Sequence, residues 1–231
     1  MARFKDRREA GQLLAQKLSN YANDPDLIVV ALARGGVPVG FEVAKALNAP
    51  LDILVVRKLG MPRDTEVAMG AIANDETRVL DDEFIALLRI SDDVIEAVTA
   101  KEKQELKRRE IAYRSEAPPL RVTGLKCILV DDGSATGLTM KAAIAALRQQ
   151  SPAKIIVALP TAPPSAYNEL RSLADEVVAL MTPFLFFSVA RWYKIFGQIS
   201  DQQVQQLYQE SKHLKEFRNS ALQEARFGAS P

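Results

Sequence analysis

Short apolar runs alternate along this chain with stretches in which apolar residues recur at helical spacing. Leu27–Leu32 (LIVVAL), Leu51–Val56 (LDILVV), Cys127–Val130 (CILV), Lys154–Leu159 (KIIVAL) and Glu176–Met181 (EVVALM) are the β-favouring runs. Their nearly unbroken apolar character predicts strands buried on both faces. Ala10, Leu13, Leu14, Leu18 and Tyr21 predict an amphipathic first helix that Asn23-Asp24-Pro25 ends. Further helices are expected up to Leu47, over Met140–Leu147 and over Pro163–Leu173. Strand and helix in alternation predict an α/β fold with a Rossmann-like, mostly parallel five-stranded sheet flanked by helices. Such sheets bind ligands at the carboxyl ends of their strands.

Two segments interrupt the alternation. Leu59–Asn74 (LGMPRDTEVAMGAIAN) is rich in Gly, Pro and polar residues and predicts a mobile hairpin. Asp81 to about Arg114 reads as helix, and its mixed charges over Lys101–Glu110 stand at salt-bridging spacing, as on a solvated face. Pro118-Pro119 ends this insertion. We therefore divide the chain into a core at 1–181, with a helical insertion at about 81–117, and a smaller unit at 182–231. The latter holds Phe184, Phe186, Phe187, Trp192, Tyr193 and Phe196. Ser200-x-x-Gln203 is a capping box opening a helix with Val204, Leu207 and Leu214 on one face, and residues from about Asn219 are expected to fray.

Charge and rare residues exclude several classes of function. The formal net charge is +1, so no global field recruits nucleic acid. The single cysteine, Cys127, lies in an apolar run and reads as a buried core residue of a reducing compartment. The single histidine, His213, lies in a polar helical stretch and leaves histidine-based triads and zinc sites without parts. A charged N-terminus and the lack of any apolar run near the roughly 18 residues that span a bilayer predict a cytoplasmic protein.

The chemistry concentrates in Lys126–Lys141, KCILVDDGSATGLTMK. A buried strand ends in Asp131-Asp132, Gly133 and Gly137 free the backbone, and Ser134, Thr136 and Thr139 add hydroxyls before a helix. Unpaired N–H groups and the positive end of a helix dipole make an anion cradle sized for a phosphate. Ionised aspartates only accept hydrogen bonds, so their natural ligand there is a set of hydroxyls. A sugar phosphate offers both. The spacing fits neither a P-loop nor a nucleophile elbow nor a dinucleotide fingerprint. Ala33-Arg34-Gly35-Gly36-Val37-Pro38 is a second strand–loop–helix of the same design, with a fixed cation and two glycines. Arg57-Lys58, at the end of the second apolar run, would suit a pyrophosphate.

Val130–Thr139 closely resembles the phosphoribosyl pyrophosphate (PRPP) signature of type I phosphoribosyltransferases, and the likeness covers about four-fifths of the chain, pointing to an uncharacterised bacterial branch. That resemblance implies transfer of 5-phosphoribosyl from PRPP to a nitrogen base with Mg²⁺ and release of pyrophosphate. It implies that Asp131 and Asp132 hold the ribose diol and the metal, and that Gly133, Ser134, Ala135, Thr136, Gly137 and Thr139 hold the 5-phosphate. Arg34, Gly35, Gly36, Arg57 and Lys58 would take the pyrophosphate, with a non-proline cis peptide near Ala33-Arg34. Glu66 and Arg63 would reach the site from the hairpin, with Glu66 or a residue of the C-terminal hood handling any proton transfer. Residues 182–231 would form a hood, with Phe186, Phe187, Trp192 and Tyr193 stacking on the base. Members acting on 6-oxopurines carry a third acid where this chain has Ala135, which argues against such bases. Dimers are usual for this fold. The same likeness also covers a non-catalytic protein that senses PRPP or a nucleotide; the Arg-Gly-Gly loop and the Arg57-Lys58 pair favour the enzyme.

Overall fold

A computed structural model describes residues 3–62, 64–74, 76–114 and 118–213. In chain order the elements are α1 (Arg7–Lys17), β1 (Leu27–Ala33), α2 (Gly36–Leu47), β2 (Leu51–Val55), β3 (Arg57–Met61), β4 (Asp64–Ile72), β5 (Arg78–Leu80), α3 (Asp82–Leu88) and α4 (Asp92–Arg114). They continue with β6 (Lys126–Val130), α5 (Leu138–Arg148), β7 (Lys154–Thr161), α6 (Pro164–Leu173) and β8 (Glu176–Met181), and residues 201–213 are helical.

Five strands form one parallel sheet in the order β2-β1-β6-β7-β8. Side chains alternate between its faces. Val29 and Ala31 of β1 join a core with α1, α2 and α4, whereas Ile28, Val30 and Leu32 join one with α5 and α6. Both faces of β1, β6 and β7 are covered, which is why these strands are almost wholly apolar, while the edge strand β8 is half-buried along its length.

The expected hairpin is present as β3 and β4, and β5, which no pattern in the sequence marked, adds to β4 in a separate antiparallel sheet. Arg57-Lys58 does not end β2. That strand stops at Val55, and the two cations open β3, one residue later. The single helix expected over Asp81–Arg114 is two helices. Asp81 caps α3 by accepting from the Phe84 N–H at 3.0 Å, Arg89 turns left-handed at φ 51°, and Ile90 packs into the core before α4 begins. The capping box forms as expected: Ser200 N–H donates to Gln203 Oε1 at 2.9 Å and Gln203 N–H to Ser200 Oγ at 3.1 Å. Val204 is buried and Leu207 packs on the core, while Leu214 lies outside the described residues. Among the described residues no helix is long and apolar enough to cross a membrane.

The insertion is tied to the edge strand by one polar knot. Arg114 donates to Asp52 Oδ2 and to the carbonyls of Ile53 and Pro118, at 3.0, 3.0 and 2.7 Å, and the Tyr208 hydroxyl donates to Asp52 Oδ1 at 3.2 Å. The Asp52–Arg114 pair is mostly shielded from water, and removing one member strands the other charge. Asp52→Ala is therefore expected to lower unfolding free energy by about 3 kcal/mol in urea titration.

Candidate functional site

β1 and β6 pair in parallel, from Leu27 opposite Lys126 to Ala31 opposite Val130, so the loops that leave them emerge side by side. They pack so closely that a side chain would not fit between them. A Cβ on Gly35 would lie 2.2 Å from Asp132 Oδ2, and one on Gly36 would lie 2.6 Å from the Val130 carbonyl oxygen. The Ala33-Arg34 peptide is cis, as expected.

The second loop closes on itself before α5. The Gly137 N–H donates to Ser134 Oγ at 3.1 Å, and the Ser134 N–H donates to the Thr161 carbonyl at 3.0 Å. Gly137 occupies the N-cap with φ 79°, a conformation that favours glycine. Ala135 and Thr136 stand exposed on the rim and Thr139 is half-buried in the first turn of the helix. The loop leads into the first turn of α5, so the positive end of that helix dipole lies close after the acids that end β6.

Asp132 is buried at 9% exposure, while Asp131 retains more access to solvent. Arg7, itself 9% exposed, donates through Nε to Asp132 Oδ2 at 2.7 Å. Its Nη1 donates to the Gly197 carbonyl at 2.8 Å, and its guanidinium lies 3.8 Å from the centre of the Phe196 ring. The Tyr193 hydroxyl donates to the Asp132 carbonyl oxygen at 2.6 Å. Burial raises both carboxyls above the ordinary carboxylate range, and for Asp131 the neighbouring Asp132 charge raises it further. Arg7 and Lys58 oppose that rise.

The two cations of β3 part company because successive residues of a strand point to opposite faces. Arg57 turns to α4, where Nε and Nη2 meet Glu102 Oε2 at 2.8 and 2.5 Å. Lys58, on the other face, is exposed and acts electrostatically on the acid pair. Arg34 meets Asp201 at 3.5 Å, and Tyr113 and Arg108 donate to that same carboxylate at 2.6 and 3.2 Å.

A sequence model of the phosphoribosyl transferase domain matches residues 5–193. The chain belongs to the phosphoribosyl transferase family. Two Mycobacterium tuberculosis proteins, from strains CDC 1551 / Oshkosh and H37Rv, carry names that assign them provisionally to the phosphoribosyl transferases. Each is 44% identical over 204 residues, which are 88% of this chain and 46% of theirs. The chain thus spans about half the length of the curated relatives it matches. The crystal structure of TT1426 from Thermus thermophilus superposes with a TM-score of 0.74 at 38% identity, over 90% of this chain and 98% of that one.

The phosphoribosyl transferase match encloses Arg7 and Tyr193, the two residues that reach Asp132 from distant parts of the chain. Sequence reasoning missed Arg7, yet there was a signal. Arg7, Ala10 and Leu14 stand at i, i+3 and i+7, which puts an arginine on the buried stripe of α1. The aromatic segment needs a correction. Trp192 and Tyr193 are buried against Phe4 and Ala10, because the chain folds back on its own beginning: the Phe4 N–H donates to the Trp192 carbonyl at 2.9 Å, and the Lys194 N–H to the Phe4 carbonyl at 2.8 Å. Neither ring offers a face to a base here. Phe186 is half-buried and stacks on Trp192, and Phe187 is exposed beside Arg191. Glu66 belongs to β4, and Arg63 lies outside the described residues.

Because Arg7 fixes Asp132, that carboxylate is not free to yield to a methyl group on Gly35. Gly35→Ala is expected to cost this phosphoribosyl transferase about 1–3 kcal/mol of stability. Gly197→Ala, whose added Cβ meets nothing within 4 Å, should stay within about 0.5 kcal/mol of the parent. Urea unfolding of the two variants measures both.

Proposed function

We propose that this chain transfers the 5-phosphoribosyl group of PRPP to a nitrogen base and releases pyrophosphate. The contact between Gly35 and Asp132 carries the reading, because it joins a hydroxyl-binding acid pair, a phosphate cradle and an Arg-Gly-Gly loop at one place on the sheet.

In this account Gly133–Thr139 hold the 5-phosphate, far enough from the reacting carbon that their binding energy serves to aim it. Asp131 and Asp132 accept hydrogen bonds from the ribose hydroxyls and oppose the positive charge that develops on the ring. The bond from the anomeric carbon to pyrophosphate oxygen breaks and a bond to the base nitrogen forms. Any proton on that nitrogen passes to Glu66 or to a residue of the segment beyond β8. The Arg34–Gly36 loop and Lys58 take up charge on the leaving group. Arg57 stands apart, held by Glu102.

Mg²⁺ suits this donor set. Among the described residues no three acidic, histidine or cysteine side chains cluster, and Arg7 already holds one oxygen of Asp132. A metal that keeps most of its coordination in water and substrate phosphates needs little more than Asp131 beside them. When bound, it neutralises the pyrophosphate. Ala135 on the exposed rim leaves no carboxylate to read a 6-oxopurine, so the acceptor is an adenine-like, pyrimidine or other base.

One observation favours a second reading, a sensor of PRPP or nucleotide without transfer. Arg34 and Arg57 both pair with internal carboxylates, as a protein with no pyrophosphate to expel would permit. Pyrophosphate release from PRPP and Mg²⁺ with a panel of purine, pyrimidine and pyridine bases separates the two. We expect release that depends on one class of base and disappears in the Asp131→Asn/Asp132→Asn double variant. Tight PRPP binding with no release for any base would replace the enzyme with the sensor.

A further inference from the structure

Asp132 is held from outside its own loop. Arg7 comes from the first turn of α1, and Gly197, Phe196 and Tyr193 come from the segment beyond β8. Three separate contacts hold the Arg7 guanidinium: Nη1 donates to the Gly197 carbonyl, the Phe196 ring lies against it at 3.8 Å, and Nε meets Asp132 Oδ2. A planar group with donors diverging in fixed directions can do this, whereas a lysine ammonium cannot hold both bonds in one plane. The Tyr193 hydroxyl meanwhile fixes the backbone of Asp132 through its carbonyl. On the remaining side the carboxylate lies against Gly35.

We propose that Arg7 is a positioning residue of the site, which presets the Asp132 carboxylate so that a ribose hydroxyl meets an acceptor already in place. The inference rests on the phosphoribosyl reading above and adds a division of labour to it. Arg7 holds one Asp132 oxygen, and the carboxylate is fixed before any ligand arrives. Asp131, the more accessible of the pair, accepts from the Asp132 N–H through Oδ1 at 2.8 Å and keeps its other oxygen for the ligand. Preset acceptors bind more tightly because less order is lost on binding. The N-terminal turn and the 193–197 segment thereby belong to the site, although neither touches the ligand in this account.

Ribose 5-phosphate is the probe, since it has the hydroxyls and the phosphate but no leaving group. Its affinity is measured by calorimetry for the parent chain, Arg7→Met, Arg7→Lys, Asp132→Asn and the Arg7→Met/Asp132→Asn double variant, with inorganic phosphate as a second ligand. Arg7→Met leaves a buried carboxylate unpaired and lowers stability, but the double variant carries neither charge and keeps the comparison valid. Arg7→Met should weaken ribose 5-phosphate about tenfold in the parent and hardly at all in the Asp132→Asn background, as coupled residues do. Arg7→Lys should bind as weakly as Arg7→Met, and inorganic phosphate, which needs only the 133–139 loop, should bind all five proteins alike. Equal losses in both backgrounds, rescue by lysine, or parallel loss of phosphate would overturn the positioning role. A parent chain that binds phosphate but not ribose 5-phosphate more tightly would instead overturn the sugar phosphate reading, and the positioning role with it.

Discussion

Neighbouring strands of a parallel sheet deliver their loops to the same edge, and in this chain β1 and β6 are such neighbours at the middle of five. Everything proposed for the site depends on that pairing. It brings Gly35 and Gly36 against Val130–Asp132 with so little space that only glycine serves at positions 35 and 36. Neither loop is distinctive alone, since a cation with two glycines or a pair of acids can end many strands. Together they bring two acids and the N-terminal turns of α2 and α5 to the switch in strand order, where open α/β sheets bind ligands.

The electrostatics of that opening follow from burial. Two adjacent carboxylates in a low-dielectric edge repel each other and resist ionisation. The fold answers with Arg7 from α1 and Lys58 from the hairpin, which oppose that resistance without cancelling it. The other cations nearby are engaged elsewhere. Arg57 faces Glu102 on α4, and Arg34 faces Asp201, whose carboxylate Tyr113 and Arg108 also hold. These links connect the edge of the site to the insertion and to the helix at 201–213.

The sheet was legible in the sequence because its strands are buried on both faces, and unbroken apolar runs such as Ile155–Leu159 have few other uses. The two loops were legible because glycines, acids and hydroxyls crowd into a few positions. What escaped was set by contacts between distant segments. That Arg57 and Lys58 diverge depends on a strand starting at Arg57 itself, which their own sequence does not announce. Trp192 and Tyr193 looked available for stacking, yet their partners are Phe4 and Ala10 at the other end of the matched domain. Arg7 was visible as a charge on an apolar stripe, but its partner lies 125 positions away. The break between α3 and α4 is made by a left-handed Arg89 with Ile90 packed on the core, and neither residue carries a helix-breaking signal of its own.

The central claim is that the two loops form one PRPP site, and a crystal structure of the chain with PRPP and Mg²⁺ tests it most directly. The account predicts the 5-phosphate in the 133–139 loop, the ribose hydroxyls on Asp131 and Asp132, and the pyrophosphate against residues 34–36 on the Lys58 side. Phosphate groups bound away from both loops, or a ribose that does not touch either aspartate, would contradict it.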